Sequence, residues 1–281
     1  MIDTPGVYKI SMQEYLNDPC PEPAFTTSMA KALLTQTPQH AWMQHPRLNP
    51  NLKRDDSTTM DIGTAAHSIL LEGSMDKIVI VEAPDWRTNK AKEARETARL
   101  QGKTPILEHK MRDIMAMVRA AQSQIENSEL ASAFSEGKAE QTLIWKEGDT
   151  WCKSRPDWLI GLELDLDYKT TGANAEPNSW TRGVLLGSGY DLQCALRLRG
   201  LRAMGARDPQ FVFMVQETEL PYAMSFIGLS PAFLEVADKK LSRALQLWRD
   251  CLLTNTWPGY PSRVAWVEPP GWLQMEEGVG T

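Results

Sequence analysis

Ser154-Arg155-Pro156-Asp157-Trp158-Leu159-Ile160, and shortly after it Leu164-Asp165-Leu166-Asp167-Tyr168-Lys169-Thr170-Thr171, decide how the chain reads. Both are apolar runs expected to form strands, joined by a tight connection at Gly161. Side chains alternate faces along a strand, so Asp167 and Lys169 share one face while Leu166 and Tyr168 take the other. Asp157, beside the preceding strand, can share the charged face. Two carboxylates suit a hard divalent ion such as Mg²⁺, which prefers oxygen ligands and keeps several waters. A neighbouring lysine can orient or deprotonate a water and offset charge developing on phosphate. An Asp-x-Lys pair by itself is commonly a solvated strand face. Here the charges interrupt Trp158, Leu159, Ile160, Leu162, Leu164 and Leu166, where an unpaired charge is costly. That context favours a site built for phosphodiester hydrolysis.

Pro156-Asp157 followed by Asp167-Tyr168-Lys169 resembles the PD-(D/E)xK nuclease signature. The longer pattern, Arg155-Pro156-Asp157 with Asp167-x-Lys169-Thr170-Thr171, is similar to the RecE-type branch, the exodeoxyribonuclease VIII type found in phages and prophages. Gly63-Thr64-Ala65-Ala66-His67, followed by Ile69-Leu70-Leu71, resembles the first motif of RecB- and RecE-like nucleases. A lone histidine on an apolar helix is otherwise usually a core residue. The resemblance makes His67 a metal ligand with Asp157, Asp167 and the Tyr168 backbone carbonyl, and makes Lys169 the residue that positions the attacking water. Glu140 stands where such sequences often carry a glutamate near the metals; an ordinary edge-strand charge is the other reading. Gln193 matches the glutamine of a Gln-x-x-x-Tyr motif, but Arg197 stands at the tyrosine position, where it could contact phosphate instead. Ser28 to Leu34 with Thr37-Pro38-x-His40 also resembles the N-terminal part of the RecE-like domain.

The rest of the chain is compatible with this reading. At 281 residues, 42% hydrophobic and 23% charged, it can bury a sizeable core. A net charge of −6 does not advertise nucleic-acid binding, so a local basic surface or metal ions must meet the phosphates. Lys90, Lys92, Arg95 and Arg99 are one candidate basic stretch for backbone contact, a solvated helix face being the alternative. Cys20, Cys152, Cys194 and Cys251 are scattered, which points to reduced thiols and no iron–sulfur cluster. No signal peptide and no membrane span are expected, and the expected location is cytoplasmic. His40 and His45 are expected to be non-ligands. The ten tryptophans are mostly core or packing residues, with a few candidates for stacking on bases.

In order, the chain predicts an extended N-terminal arm with a helical turn at 11–16, then a helix capped by Ser28 and a second opened by Thr37-Pro38. A loop over 47–58 precedes a buried helix over Thr59–Glu72 and a strand over Lys77–Val81. Helices over 89–127, interrupted at Lys103–Pro105, are followed by a hairpin from Ala139 that turns at Glu147-Gly148-Asp149. Beyond the central strands come helices at 178–186 and 190–204, strands at 210–215 and 222–227, a helix over 232–253 opened by Ser230-Pro231, and an irregular tail from 256. The expected fold is therefore α/β: a PD-(D/E)xK restriction-endonuclease-like core, a mixed central sheet flanked by helices. It forms one domain over 1–281, with a core at about 25–255 and a helical insertion at about 84–135.

The resemblance implies a Mg²⁺-dependent exonuclease, with Mn²⁺ able to substitute. Such an enzyme digests linear double-stranded DNA from 5′ ends and leaves 3′ tails for a single-strand annealing protein. Its branch forms closed rings, so a trimeric or tetrameric homo-oligomer is expected. Two other readings stay open. One is a structure- or single-strand-specific endonuclease of the same superfamily; the other is a non-catalytic DNA-binding relative, which the acidic charge favours and the complete Asp157/Asp167/Lys169 set opposes.

Overall fold

The computed structural model describes residues 1–52 and 58–269. In chain order the elements are β1 (Gly6–Tyr8), α1 (Met12–Leu16), α2 (Thr27–Thr35), α3 (Pro38–Gln44), α4 (Thr58–His67), β2 (Ile78–Val81), α5 (Asn89–Leu100), β3 (Thr104–Leu107), α6 (Glu108–Glu126), α7 (Ala133–Glu136), β4 (Lys138–Ala139), β5 (Thr142–Glu147) and β6 (Thr150–Ser154). They continue with β7 (Trp158–Ile160), β8 (Leu164–Thr171), α8 (Pro177–Trp180), α9 (Leu186–Ser188), α10 (Tyr190–Ala203), β9 (Gln210–Glu217), β10 (Met224–Ile227) and α11 (Pro231–Thr254).

The central sheet runs β10-β9-β8-β7-β4 and is mixed, as expected. β8 pairs antiparallel with β7 and parallel with β9, so Asp167 lies opposite Phe213 and Lys169 opposite Val215. Period-two alternation sorts the faces. On β9, Phe211, Phe213 and Val215 pack with Trp180, Leu185, Cys194 and Leu198, whereas Met214 packs with the α6 residues Ile114, Met117 and Val118. Leu166 and Tyr168 join Met214 in that second cluster. The charged face of β8 is thereby left to α10. A third cluster, with Phe25, Trp145, Leu196 and Trp248, fixes α2, α10 and α11 against a separate antiparallel sheet, β1-β5-β6.

Several sequence expectations are corrected. The hairpin turns where expected but belongs to the separate sheet, and the arm that reads as extended contributes its edge strand, β1. The interruption at Lys103–Pro105 is not a mere helix break: β3 begins there and pairs in parallel with β2, so the segment expected to be all helical carries strand as well. Thr26, not Ser28, caps α2; its backbone is extended and its hydroxyl accepts from the Met29 N–H, while Ser28 already lies inside the helix. The helix expected over Thr59–Glu72 ends as α-helix at His67 and continues over Ser68–Glu72 as a π-helical turn, closed by Gly73 at φ 63°. Part of the 47–58 loop and the tail beyond 269 lie outside the described residues. No helix among the described residues is long and apolar enough to cross a membrane.

Candidate active site

The end of α4, the π-helical turn, β8 and α10 converge on one groove. Gly63 is what lets α4 come so close to the sheet: a Cβ there would sit 2.8 Å from the Thr170 hydroxyl oxygen on β8. The approach delivers His67, whose Nε2 lies 3.5 Å from Asp157 Oδ2 and 3.4 Å from Glu140 Oε1. Asp157 is fixed from the other side by the Tyr168 N–H, which donates to Oδ2 at 3.0 Å. Glu140 sits at φ 57°, pairs with the Arg155 guanidinium, and is buried.

On β8, Lys169 pairs directly with Asp167, whose side chain is fully buried, and its ammonium lies 5.0 Å from the centre of the Tyr190 ring. From α10, Gln193 donates to Asp167 Oδ1 at 2.7 Å, and Arg197 Nη1 lies 2.8 Å from the same oxygen. Asp157, Asp167, Lys169, Gln193, His67 and Glu140 are thus brought together, as is the Tyr168 backbone. Arg197 is placed differently from the sequence expectation. It is buried among carboxylates, so the phosphate-contact alternative is not what this geometry offers. The basic stretch on α5 is partly used in packing: Arg99 pairs with Asp61 at 3.2 Å and Arg95 lies over the Trp86 ring. His45 pairs with Asp18 and His40 bonds Thr37, which gives both histidines structural partners.

Sequence reasoning missed Glu72. The closest ligand atoms of His67, Glu72 and Glu140 all lie within 4.8 Å of one another. In a regular α-helix a residue five positions on points away; the wider π-helical turn brings Glu72 back to the side of His67. Periodicity at 3.6 carries no signal for that. Asp165 was also missed. It is fully buried on β8, and burial pushes its carboxyl up to about 7 although Arg197 opposes the shift.

The charges interlock. Burial disfavours ionised Asp157, but His67, Lys169 and Arg197 outweigh it and hold the carboxyl well below the usual range. Burial likewise lowers Lys169 and His67, yet Asp167 and Asp157 raise the lysine, and Asp157 with Glu140 raises the histidine. Lys169 is therefore a firmly protonated ammonium. The donor set of one imidazole with the carboxylates of Glu72, Glu140 and Asp157 fits a hard divalent ion, and it offers no thiolate for a soft one. These residues are the ones that would hold it; Tyr168 lines the same groove, whereas Asp167, expected as a ligand, is fully buried and paired with Lys169 and Arg197. The groove around them encloses about 1430 Å³, with Lys9, Ser11, Lys31 and Lys77 on its walls.

The sequence matches the family described as a PDDEXK-like domain of unknown function, DUF3799, over residues 26–268. The chain belongs to the PD-(D/E)xK-like domain family. No curated protein matches the sequence. Among solved structures, a protein from Eubacterium rectale that carries a provisional exonuclease designation has a TM-score of 0.55 at 14% identity, covering 91% of this chain and 97% of its own. An alkaline exonuclease from Laribacter hongkongensis has a TM-score of 0.30 at 14% identity, covering 70% of this chain and 96% of its own. The family match carries the PD-(D/E)xK reading of the β7–β8 motif, and the first of these structures shares the overall fold.

Proposed function

We propose that this PD-(D/E)xK domain is a divalent-metal-dependent exodeoxyribonuclease acting on linear double-stranded DNA in the 5′ to 3′ direction. The observation that carries the reading is the meeting of Lys169, held from behind by the buried Asp167, with Asp157 and His67 in one open groove. A cavity of this size exceeds what small-molecule sites usually need and suits a polymer segment. Mg²⁺, or Mn²⁺ in its place, would act as a Lewis acid on the scissile phosphate. The chain's own residues do the rest. Lys169 holds a water in line with phosphorus by donating to it, and its charge offsets the charge gathering on the phosphate oxygens. Asp167 keeps the ammonium aimed at that spot, and Gln193 keeps Asp167 in its rotamer. Lys31 and Lys9, the latter donating to the Ala139 carbonyl, line the groove walls where a phosphate backbone would run, and Lys77 there is paired with Glu72; this local positive charge offsets the overall −6.

End-directed digestion, 3′ tails passed to an annealing protein, a ring-shaped homo-oligomer and a cytoplasmic setting belong to this proposal on the strength of the RecE-like motif order. The test is digestion of 5′-labelled linear duplex beside a covalently closed circle, with Mg²⁺ and with chelator. Loss of the linear DNA from its 5′ ends in Mg²⁺ alone, with the circle intact, is the expected result. Nicking of the circle would move the domain to the endonucleases, and binding without cutting would make it a non-catalytic relative.

A further inference from the structure

Arg197 does more than neutralise. Its guanidinium is buried, and its two terminal nitrogens hold different elements. Nη1 lies 2.8 Å from Asp167 Oδ1 and 3.2 Å from Asp165 Oδ1, both on β8. Nη2 donates to the Arg155 carbonyl at 2.8 Å and lies 3.7 Å from Asp157 Oδ1, just ahead of β7. One planar fork therefore faces both motif aspartates, one on β8 and one just ahead of β7, from a single rigid group on α10. A lysine ammonium is a point charge on a flexible stem and cannot hold two such partners at a fixed separation.

Asp165 supplies the second half of the observation. It lies two residues before Asp167 on the same face of β8, is fully buried, and leaves Oδ2 without a hydrogen-bond partner. A buried carboxylate on a strand is costly unless a cation answers it. Arg197 is the cation that its other oxygen meets.

We infer that Arg197 is a positioning residue that holds Asp157, a candidate metal ligand, at a fixed separation from Asp167, which aims Lys169, and that Asp165 is its buried carboxyl partner. The inference rests on the metal-dependent reading proposed above. Removing Arg197 alone strips a shared cation from three carboxylates and can simply unfold the site. Removing Asp165 with it takes away the buried carboxyl that Arg197 answers, so loss of positioning can be separated from loss of stability.

The experiment titrates Mn²⁺ alone, without DNA, into metal-free wild type, Arg197→Lys, and the double variant Arg197→Met with Asp165→Val, and records a thermal melt of each. The double variant is expected to melt near wild type yet bind Mn²⁺ about 10–100-fold more weakly, the usual loss when a ligand's supporting partner is removed. Arg197→Lys is expected to stay folded and to recover only part of the affinity. Wild-type Mn²⁺ affinity in the double variant would overturn the inference and reduce Arg197 to charge balance. Should the double variant fail to fold, wild-type affinity in Arg197→Lys overturns it equally. If wild type itself binds no Mn²⁺, the nuclease reading falls and takes this inference with it; if only the variants match wild type, that reading survives.

Discussion

At the scale of single residues, the site is a set of groups whose charges depend on one another. Asp157 stays ionised because His67, Lys169 and Arg197 surround it, and Lys169 stays protonated because Asp167 and Asp157 do. Glu72 stands slightly apart. It already has a partner in Lys77 at 2.8 Å and accepts from the Ser68 hydroxyl at 3.1 Å, so its carboxylate is aimed before any ion arrives. Glu72→Gln keeps the shape and one acceptor oxygen but loses the charge. The variant is expected to melt close to wild type and to need at least about tenfold more Mn²⁺ for half-maximal cleavage, by analogy with the loss of a ligand's partner. Unchanged Mn²⁺ demand would remove Glu72 from the ligand set. The sequence showed Asp157, Asp167, Lys169 and His67 through motif order and strand alternation. It did not show Glu72, because a π-helical turn breaks the periodicity by which helix faces are read.

At the scale of elements, α10 is the lever that carries Gln193 and Arg197 to β8. Gly200 sets its height: a Cβ there would meet the Trp145 ring at 2.9–3.1 Å, and Trp145 is itself buried in the core beneath. Gly200→Ala is therefore an overpacking change, expected to cost about 1–3 kcal/mol in chemical denaturation. It should also lower cleavage, because shifting α10 moves the Asp167 contacts. Full activity with the stability loss would show that α10 tolerates displacement. How legible the elements were follows from their physics. β9 reads as a continuous apolar run over 211–215, and β8 alternates Leu164, Leu166 and Tyr168 with Asp165, Asp167 and Lys169, so both were visible in the sequence. β3 was hidden, because its four residues begin at Thr104-Pro105 between two charged helices and gain strand character only by pairing with β2. The shift of the α2 cap from Ser28 to Thr26 is a choice between two good capping residues, which tertiary pairing of Phe25 with Cys152 decides.

At the scale of the molecule, the N-terminal arm lies outside the span matched to the family yet closes one side of the groove. Arg155 Nη1 donates to the Ile10 carbonyl at 3.0 Å, and Lys153 Nζ donates to the Tyr15 carbonyl at 2.6 Å. The arm is locked at Asp18, buried at φ 62°, which pairs with Lys153 at 3.2 Å and His45 at 3.4 Å and accepts from the Ala24 N–H. Burial raises the Asp18 carboxyl, but His45, Lys153 and Ala24 outweigh it and hold it below its ordinary 3.8. A depressed carboxyl contributes stability that is present in full above its unfolded value and is lost as pH falls through the folded one. Asp18→Asn should thus cost about 3–5 kcal/mol at neutral pH, as expected when one partner of a buried pair is removed. The gap from wild type should narrow below about pH 4. A pH-independent gap in urea melts would place the Asp18 contribution in shape and not in charge.

The proposed action of Lys169 on the phosphate, within a metal-dependent site, is tested by single-turnover cleavage of linear duplex by wild type and Lys169→Met. Both proteins are assayed in Mg²⁺ and in chelator, with DNA binding measured alongside. Cleavage by wild type in Mg²⁺ only is expected, with a loss of about 10²–10⁴-fold in Lys169→Met, the usual span for a group that handles a proton or positions a nucleophile. DNA affinity should stay near wild type. Cleavage that survives chelation, or a Lys169→Met variant that cuts at the wild-type rate, would contradict it.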